Sequence, residues 1–299
     1  MSILVAGSTG FVGGEIALRL AERKHQVRGL VRGGTAHPKA PHLQDAGIEI
    51  VNGDFTLPET LATACQGVET VVSTVTSMPS GANDGLRQVD HDGALALITA
   101  AEHAGVKRFV YVSYSGNIRA DSPLETAKRA CENRLLQSPM RAVILRPSYF
   151  MEVWLSPMLG FDPANGSARI YGSGDGKGNY ISAFDVSEFA VAAVTRDYAD
   201  ENTILEMGGP EALSQLDVVR MFEQALGKTV RLDFLPVETI QSQHGSSDPL
   251  QKTFAALMLS YAKGDVISGA RALAEEYGIA LRSVPEYAAH LRAQQVSVA

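Results

Sequence analysis

Three glycines, Gly7, Gly10 and Gly13, stand at a spacing of three in "LVAGSTGFVGGEI", between an apolar run and the start of an amphipathic segment. Backbone this bare at a strand-to-helix turn aims several free N–H groups and the positive end of a helix at one point, which suits an anionic pyrophosphate. Thr9, Phe11 and Val12, interleaved with the glycines, are expected to touch the same ligand. An ordinary tight turn is the alternative for such a triplet. Roughly 20 residues further on, an NAD-dependent enzyme carries an acidic residue for the ribose hydroxyl; here "VRGLVRGG" offers Arg32. A guanidinium fork pairs with a 2′-phosphate that a carboxylate would repel, so the expected cofactor is NADP(H), with Lys39 assisting. A solvated arginine at a strand end is the competing reading.

Softer candidates lie at later turns. Asp54 and Phe55 in "VNGDF" suit an adenine, one as acceptor for its amino group and one as an apolar wall; a turn aspartate and a core phenylalanine fit equally. Thr74, Val75 and Thr76 open the loop "STVTSMPSGANDG" and are placed to line a cofactor, with the rest of the loop read as a lid or as inert surface. In "PSYFMEVW", Tyr149 and Phe150 would meet the reactive end of the ligand and Trp154 would pack an aromatic acceptor, although aromatic runs also build cores. "YGSGDGKGNY" lacks the GK[ST] ending of a phosphate loop and reads as a flexible hairpin or crossover.

These positions need a scaffold, and the pattern supplies one. Strand-like runs cover Ile3 to Ala6, Gln26 to Val31, Ile48 to Val51, Thr70 to Thr74, Arg108 to Ser113 and Ala142 to Leu145, with helical patterns between them such as Phe11 to Arg23 and Leu86 to Ala104. Short apolar strands alternating with helices predict an α/β fold, a doubly wound parallel Rossmann sheet covered on both faces. After Pro147 the regularity gives way to Gly- and Pro-rich stretches and then to helices near Val186 to Thr195, Leu216 to Leu226, Thr253 to Lys263 and Pro285 to Leu291. A smaller, mostly helical C-terminal region follows.

Composition narrows the function classes. The 299 residues are 45% hydrophobic and 20% charged, enough to bury a full core. A formal charge of -7 without Lys/Arg runs argues against nucleic acid as a partner. No stretch approaches the ~18 apolar residues of a membrane span, and Ser2 opens directly into a strand-like run, so a cytoplasmic chain is expected. Cys65 and Cys131 are widely separated packing residues, and the seven histidines form no metal-ligand spacing, so no metal is expected.

The ordered set of the GxxGxxG form, Arg32, the "NGDF" turn, "FVYVSYSG" and "VILRPSYFME" resembles the NmrA-like group of atypical short-chain dehydrogenases/reductases, with quinone oxidoreductase and isoflavone-reductase relatives. "NYISAFDVSEFAVAAV" and "ILEMGGPEALSQLDVVRMFEQALGK" extend that similarity over nearly the whole chain. The resemblance implies a seven-stranded sheet, an NADP-binding domain from residues 1–148 plus about 186–208, and a substrate domain from about 149–185 plus 209–299. It also implies chemistry after the fifth strand, where Ser113 matches the short-chain dehydrogenase serine by position. In "SPLETAKRACE", Lys128 matches the lysine that binds the nicotinamide ribose, but Leu124 occupies the place of the catalytic tyrosine.

Three responses to Leu124 are open. Lys128 acts alone after burial lowers its pKa; or the acceptor needs no strong acid, as with a quinone, whose reduced anion water can protonate; or no hydride moves and the protein reports NADP(H) occupancy to a partner. The second is preferred: an NADPH-dependent oxidoreductase acting on a quinone or similar conjugated small molecule, with Lys128, Ser113 and Tyr149 as the reacting-site residues. Tyr114 is a weaker substitute acid, since alternation along a strand turns it away from Ser113 and Ser115. A homodimer is a candidate assembly.

Overall fold

The apolar runs of the first half become the middle of a parallel sheet. In a computed structural model, which describes residues 1–78, 84–196 and 201–298, the strands β1 (Ser2–Ala6), β2 (Gln26–Val31), β3 (Glu49–Asn52), β4 (Thr70–Ser73), β5 (Arg108–Val112) and β6 (Arg141–Pro147) lie side by side. Three short strands, β7 (Phe161–Asp162), β8 (Ser167–Tyr171) and β9 (Lys177–Asn179), intervene before β10 (Thr203–Met207) completes the seven-stranded sheet in the order β10-β6-β5-β4-β1-β2-β3. Strands β1, β4, β5 and β6 are almost wholly buried along their length, which is why they read as continuous apolar runs rather than as alternation. The order reverses between β1 and β4, the place where an open parallel sheet leaves a crevice at its carboxyl edge.

Helices α1 (Phe11–Glu22), α2 (Ala40–Asp45), α3 (Pro58–Cys65), α4 (Ala94–His103) and α5 (Pro123–Leu136) connect the strands. One face of the sheet packs on α3, α4 and α5 through a core that includes Leu61, Leu97, Phe109, Tyr111 and Leu135. The continuous helical pattern expected over Leu86 to Ala104 is interrupted: Leu86–Gly93 is a π-helical stretch that passes into α4. Gly93 lets it lie close to the chain beside it, since a Cβ there would stand 2.5 Å from the Phe55 carbonyl oxygen. Local periodicity does not register a change from 3.6 to a wider turn, so the sequence pattern missed it.

The chain divides into two compact units, one of residues 1–114, 122–146 and 186–205, the other of residues 115–121, 147–185 and 206–299. The second unit holds α6 (Met151–Trp154), the small sheet β12-β8-β7 with β12 at Arg231–Leu235, and the antiparallel pair of β9 with β11 (Ala212–Ser214). Helix α7 (Ala183–Thr195) runs into the first unit, and α8 (Gln215–Leu226), α9 (Val237–His244), α10 (Pro249–Lys263), α11 (Ala270–Tyr277) and α12 (Val284–Val298) make the C-terminal portion helical. Because β8 and β9 belong to different sheets, the Gly-rich segment between them is a crossover.

Candidate active site

The glycine turn is built as a close approach of backbone to backbone. Gly7 leaves β1 at φ +93°, a conformation that glycine adopts without strain, and the Gly10 N–H donates to the Gly7 carbonyl at 2.8 Å. A Cβ on Gly7 would meet the Thr74 hydroxyl oxygen at 2.4 Å, and one on Gly13 would meet the Gly7 carbonyl oxygen at 2.3 Å. These two glycines let α1 and the end of β4 close on the turn. Gly10 differs, for a Cβ there would meet only the Gly7 oxygen, at 3.1 Å. It is the exposed N-cap of α1, with no side chain capping the first turn and no acidic residue in it, so amides and the positive helix end face outward. The donor set and the bare rim fit a dinucleotide phosphate. Thr9 and Val12 are half-buried beside it, and Phe11 is 52% exposed at the first position of the helix.

Arg32 follows β2 and is exposed, without an ion pair among the described residues. Gly33 and Gly34, both at positive φ, then turn the chain, and it returns so that the Lys39 ammonium donates to the Thr9 carbonyl at 2.8 Å. A second cation is thereby tied to the glycine turn. Asp54 closes a turn, its Oδ1 accepting from the Thr56 amide and hydroxyl at 2.8 Å each, while Phe55 is buried in the core. Thr74 is half-buried with its amide donating to the Ala6 carbonyl at 3.0 Å, and Thr76 is exposed. Residues 79–83 of the expected lid lie outside the described residues.

The second cluster is buried. Lys128 on α5 is 5% exposed, and its Nζ donates to the Val112 carbonyl at 3.2 Å and the Val75 carbonyl at 3.4 Å, at the carboxyl ends of β5 and β4. Nζ also sits 5.0 Å from the centroid of the Tyr111 ring. Burial holds the Lys128 pKa below the ordinary lysine value; Asp90, Cys131 and Glu132 oppose the shift, and Arg129 adds to it. One turn earlier Leu124 is buried, so an apolar group lines the position where the resemblance would place an acid. Ser113 is buried, with its amide bonded to the Leu145 carbonyl at 2.8 Å and no partner in hydrogen-bond geometry for its hydroxyl among the described residues.

Sequence reasoning missed the acids of this cluster. Glu132 is buried against two arginines, with Arg129 Nη1 at 2.6 Å and Arg146 Nη2 at 2.5 Å. Burial pushes its carboxyl up, but the hydrogen bonds from Arg146 and the Ser113 dipole, with both guanidinium charges, bring it below the usual carboxylate range. The Arg129 guanidinium also covers the Tyr114 ring at 4.7 Å. Asp90, on the π-helical stretch, takes the Ser77 amide at 2.8 Å and its hydroxyl at 2.5 Å on one carboxylate oxygen. The spacing E-x13-R of Glu132 and Arg146 carries no local signal; only the fold brings them together.

In the second unit Tyr149 is buried and donates its hydroxyl to the Ser260 carbonyl at 3.0 Å, and burial raises its pKa well above the ordinary tyrosine value. Trp154 and Tyr261 stand edge-on to its ring at 4.9 and 5.0 Å, and the Phe150 backbone bridges to Ile181. Asp265, also unnoticed in the sequence, gathers Ser115, Asn117 and Ser148 at 3.0, 3.1 and 2.8 Å. Among the described residues no cluster of His, Cys, Asp and Glu could hold a metal, and no helix is long and apolar enough to cross a membrane.

A doubly wound sheet with a glycine turn at its switch point defines a Rossmann protein of the dinucleotide-binding kind. The chain belongs to the NmrA-like family, whose model matches residues 1–268. It is 32% identical over 239 residues to an NAD(P)H azoreductase of Xenophilus azovorans, covering 79% of this chain and 78% of that protein. It is 31% identical over 246 residues to the Photosystem II assembly factor Ycf39 of Trieres chinensis, covering 79% and 73%. Among solved structures, the NADPH complex of the quinone oxidoreductase QOR2 from Escherichia coli shares the fold with a TM-score of 0.79 at 23% identity, covering 97% of this chain and 99% of that one.

Proposed function

We propose that this protein is an NADPH-dependent oxidoreductase that passes hydride to a quinone or similar conjugated acceptor. The observation that carries this reading is the pairing of a buried ammonium, Lys128, with a buried Leu124 one turn away. A cation is held at the carboxyl ends of β4 and β5 where a nicotinamide ribose would lie, yet one turn away leucine stands where the resemblance would place an acidic hydroxyl. Bound NADPH supplies a hydride, and a quinone takes it to give a stabilised anion that water protonates, so orientation accounts for most of the rate. The protein's own residues then bind and place. Gly7, Gly10 and Gly13 with Thr9, Phe11 and Val12 receive the pyrophosphate, and Arg32 with Lys39 receives the 2′-phosphate. Asp54 and Phe55 border the adenine, Thr74, Val75 and Thr76 line the middle of the cofactor, and Lys128 holds the ribose. Ser113, with its buried hydroxyl, is assigned to the acceptor, as are Tyr149 and Phe150.

The known relatives support this reading at different depths. One relative is an NAD(P)H azoreductase and one structural neighbour an NADPH-dependent quinone oxidoreductase, and a -7 chain is a poor partner for nucleic acid. We place the activity in the cytoplasm, with a homodimer as the candidate assembly. A second reading, in which NADP(H) is bound without turnover and signals to a partner protein, is favoured by Leu124 and by the 31% identity to an assembly factor. The two separate in one experiment: quinones, azo compounds, enones and simple aldehydes are offered while NADPH absorbance is followed. Stoichiometric NADPH loss with quinones and not with aldehydes is the expected result. If NADPH binds and no acceptor consumes it, the signalling reading replaces the enzymatic one.

A further inference from the structure

We propose that Asp90 is a positioning residue for Lys128: its buried carboxylate pins the loop that holds the lysine and supplies the counter-charge to the ammonium. This rests on the reading of Lys128 as the cofactor-side cation. Asp90 is 1% exposed, and a carboxylate stripped of water is costly unless donors or cations compensate it. One of its oxygens takes both the amide and the hydroxyl of Ser77. The other, Oδ1, is buried with no hydrogen-bond partner among the described residues. Ser77 is two residues beyond Val75, whose carbonyl accepts from Lys128, so the Ser77 clamp fixes the backbone that the lysine grips.

Charge accounting points the same way. Lys128 donates to two neutral carbonyls and forms no ion pair within salt-bridge distance among the described residues. Of the buried acids beside α5, Glu132 is already held by Arg129 and Arg146. Asp90 is left: among the described residues it is a buried acid without a cation, packed beside a buried cation without an acid. The two elements pack directly, for the Cys131 thiol, three residues along α5 from Lys128, donates to the Asp90 carbonyl at 3.7 Å. The π-helical stretch carries Asp90, and such segments are conformationally costly and recur at functional sites. The other groups facing the ammonium are the Tyr111 ring, Cys131, Glu132 and, as a like charge, Arg129; Asp90 is the strongest of those that oppose the burial penalty on Lys128.

The test reads the lysine directly in cofactor-free protein, by titrating its side-chain carbon in NMR and assigning the signal by its loss in Lys128→Met. Asp90→Asn keeps an acceptor for Ser77 but removes the charge, and the Lys128 midpoint should fall by about one pH unit, a roughly tenfold change in the protonation constant. Ser77→Ala breaks the clamp and keeps the charge, so the midpoint should stay within about half a unit. A folded Asp90→Asn protein with an unmoved midpoint overturns the proposal. If that variant does not fold, Asp90→Glu carries the test: the retained charge should leave the midpoint near native, and a fall of about one unit overturns the proposal equally. NADPH affinity of Lys128→Met is measured separately. If it is unchanged, the cofactor reading of Lys128 fails while the coupling to Asp90 still stands or falls on its own titration.

Discussion

Arg32 and Lys128 are the two cations assigned to opposite ends of one cofactor, and they are built in opposite ways. Arg32 is exposed after β2, where solvent screens its charge, so the protein keeps it at little cost. Lys128 is sealed under α5 with two carbonyls, an aromatic face and a buried acid around it, and such a group costs stability. The contrast teaches where each residue's effect should appear. A solvated cation contributes when a ligand desolvates it, and its removal should be felt in affinity. A buried cation is held ready in advance, and its removal should be felt in rate and in the pH dependence of stability.

The largest expected effect falls on the buried end. Lys128→Met should reduce NADPH turnover by at least about 100-fold, while the thermal midpoint falls because the buried Asp90 carboxylate loses its counter-charge. Parallel rate and melting measurements check this, and native turnover in the folded variant would mean that the lysine has no part in the reaction. At the solvated end, Arg32→Ala should weaken NADPH binding roughly 10- to 100-fold, the worth of charge-assisted hydrogen bonds, and leave NADH binding unchanged. Its melting point should not move. An NADH preference in the native protein would break the comparison outright.

The glycine turn sharpens it further. Gly13→Ala places a methyl 2.3 Å from the Gly7 carbonyl oxygen and should destabilise the fold by about 1–3 kcal/mol in chemical denaturation. Gly10→Ala, with a 3.1 Å contact, should cost less stability and yet impair NADPH binding, because its new methyl occupies the exposed rim. Equal stability losses in the two variants would remove the case for a ligand at Gly10. The smallest effect is in pH. The folded pKa of Lys128 lies below its unfolded value, so the unfolded chain binds more protons between the two and stability rises as pH climbs towards about 10.4; Lys128→Met should flatten that slope. Glu132 has the opposite sign: its folded pKa is depressed, so its contribution is present above about 4.3 and is lost as pH falls through the folded value. That acid-side loss should be missing from Glu132→Gln.

What was legible in the sequence follows from range. Strands β1, β2, β4, β5 and β6 announce themselves because a strand buried on both faces must be a local apolar run, and Gly7, Gly10 and Gly13 because their spacing and flanks are local too. Lys128 is singled out by the family resemblance, which matches it to the lysine of a Tyr-x-x-x-Lys pattern with Leu124 in the tyrosine's place. The groups that set its electrostatics were invisible, since Asp90 and Ser77 meet across 13 residues and Asp265 meets Ser115 across 150. The stretch "LRQVDHDGALAL" carries a helical apolar pattern, which does not distinguish a π-helical turn from an α-helical one. For Asp54 and Phe55 the alternative of a turn aspartate and a core phenylalanine describes their packing: the carboxylate closes a turn and the ring lies in the core.

One cofactor is proposed to span both cations, and an experimental structure of the NADPH complex measures that directly. The adenosine 2′-phosphate should lie on the Arg32 guanidinium, the pyrophosphate on the Gly10 rim, and a hydroxyl of the nicotinamide ribose within hydrogen-bond distance of Lys128 Nζ. A nucleotide bound elsewhere, or one whose ribose leaves the Lys128 ammonium to its two carbonyls while Arg32 points into solvent, would contradict it.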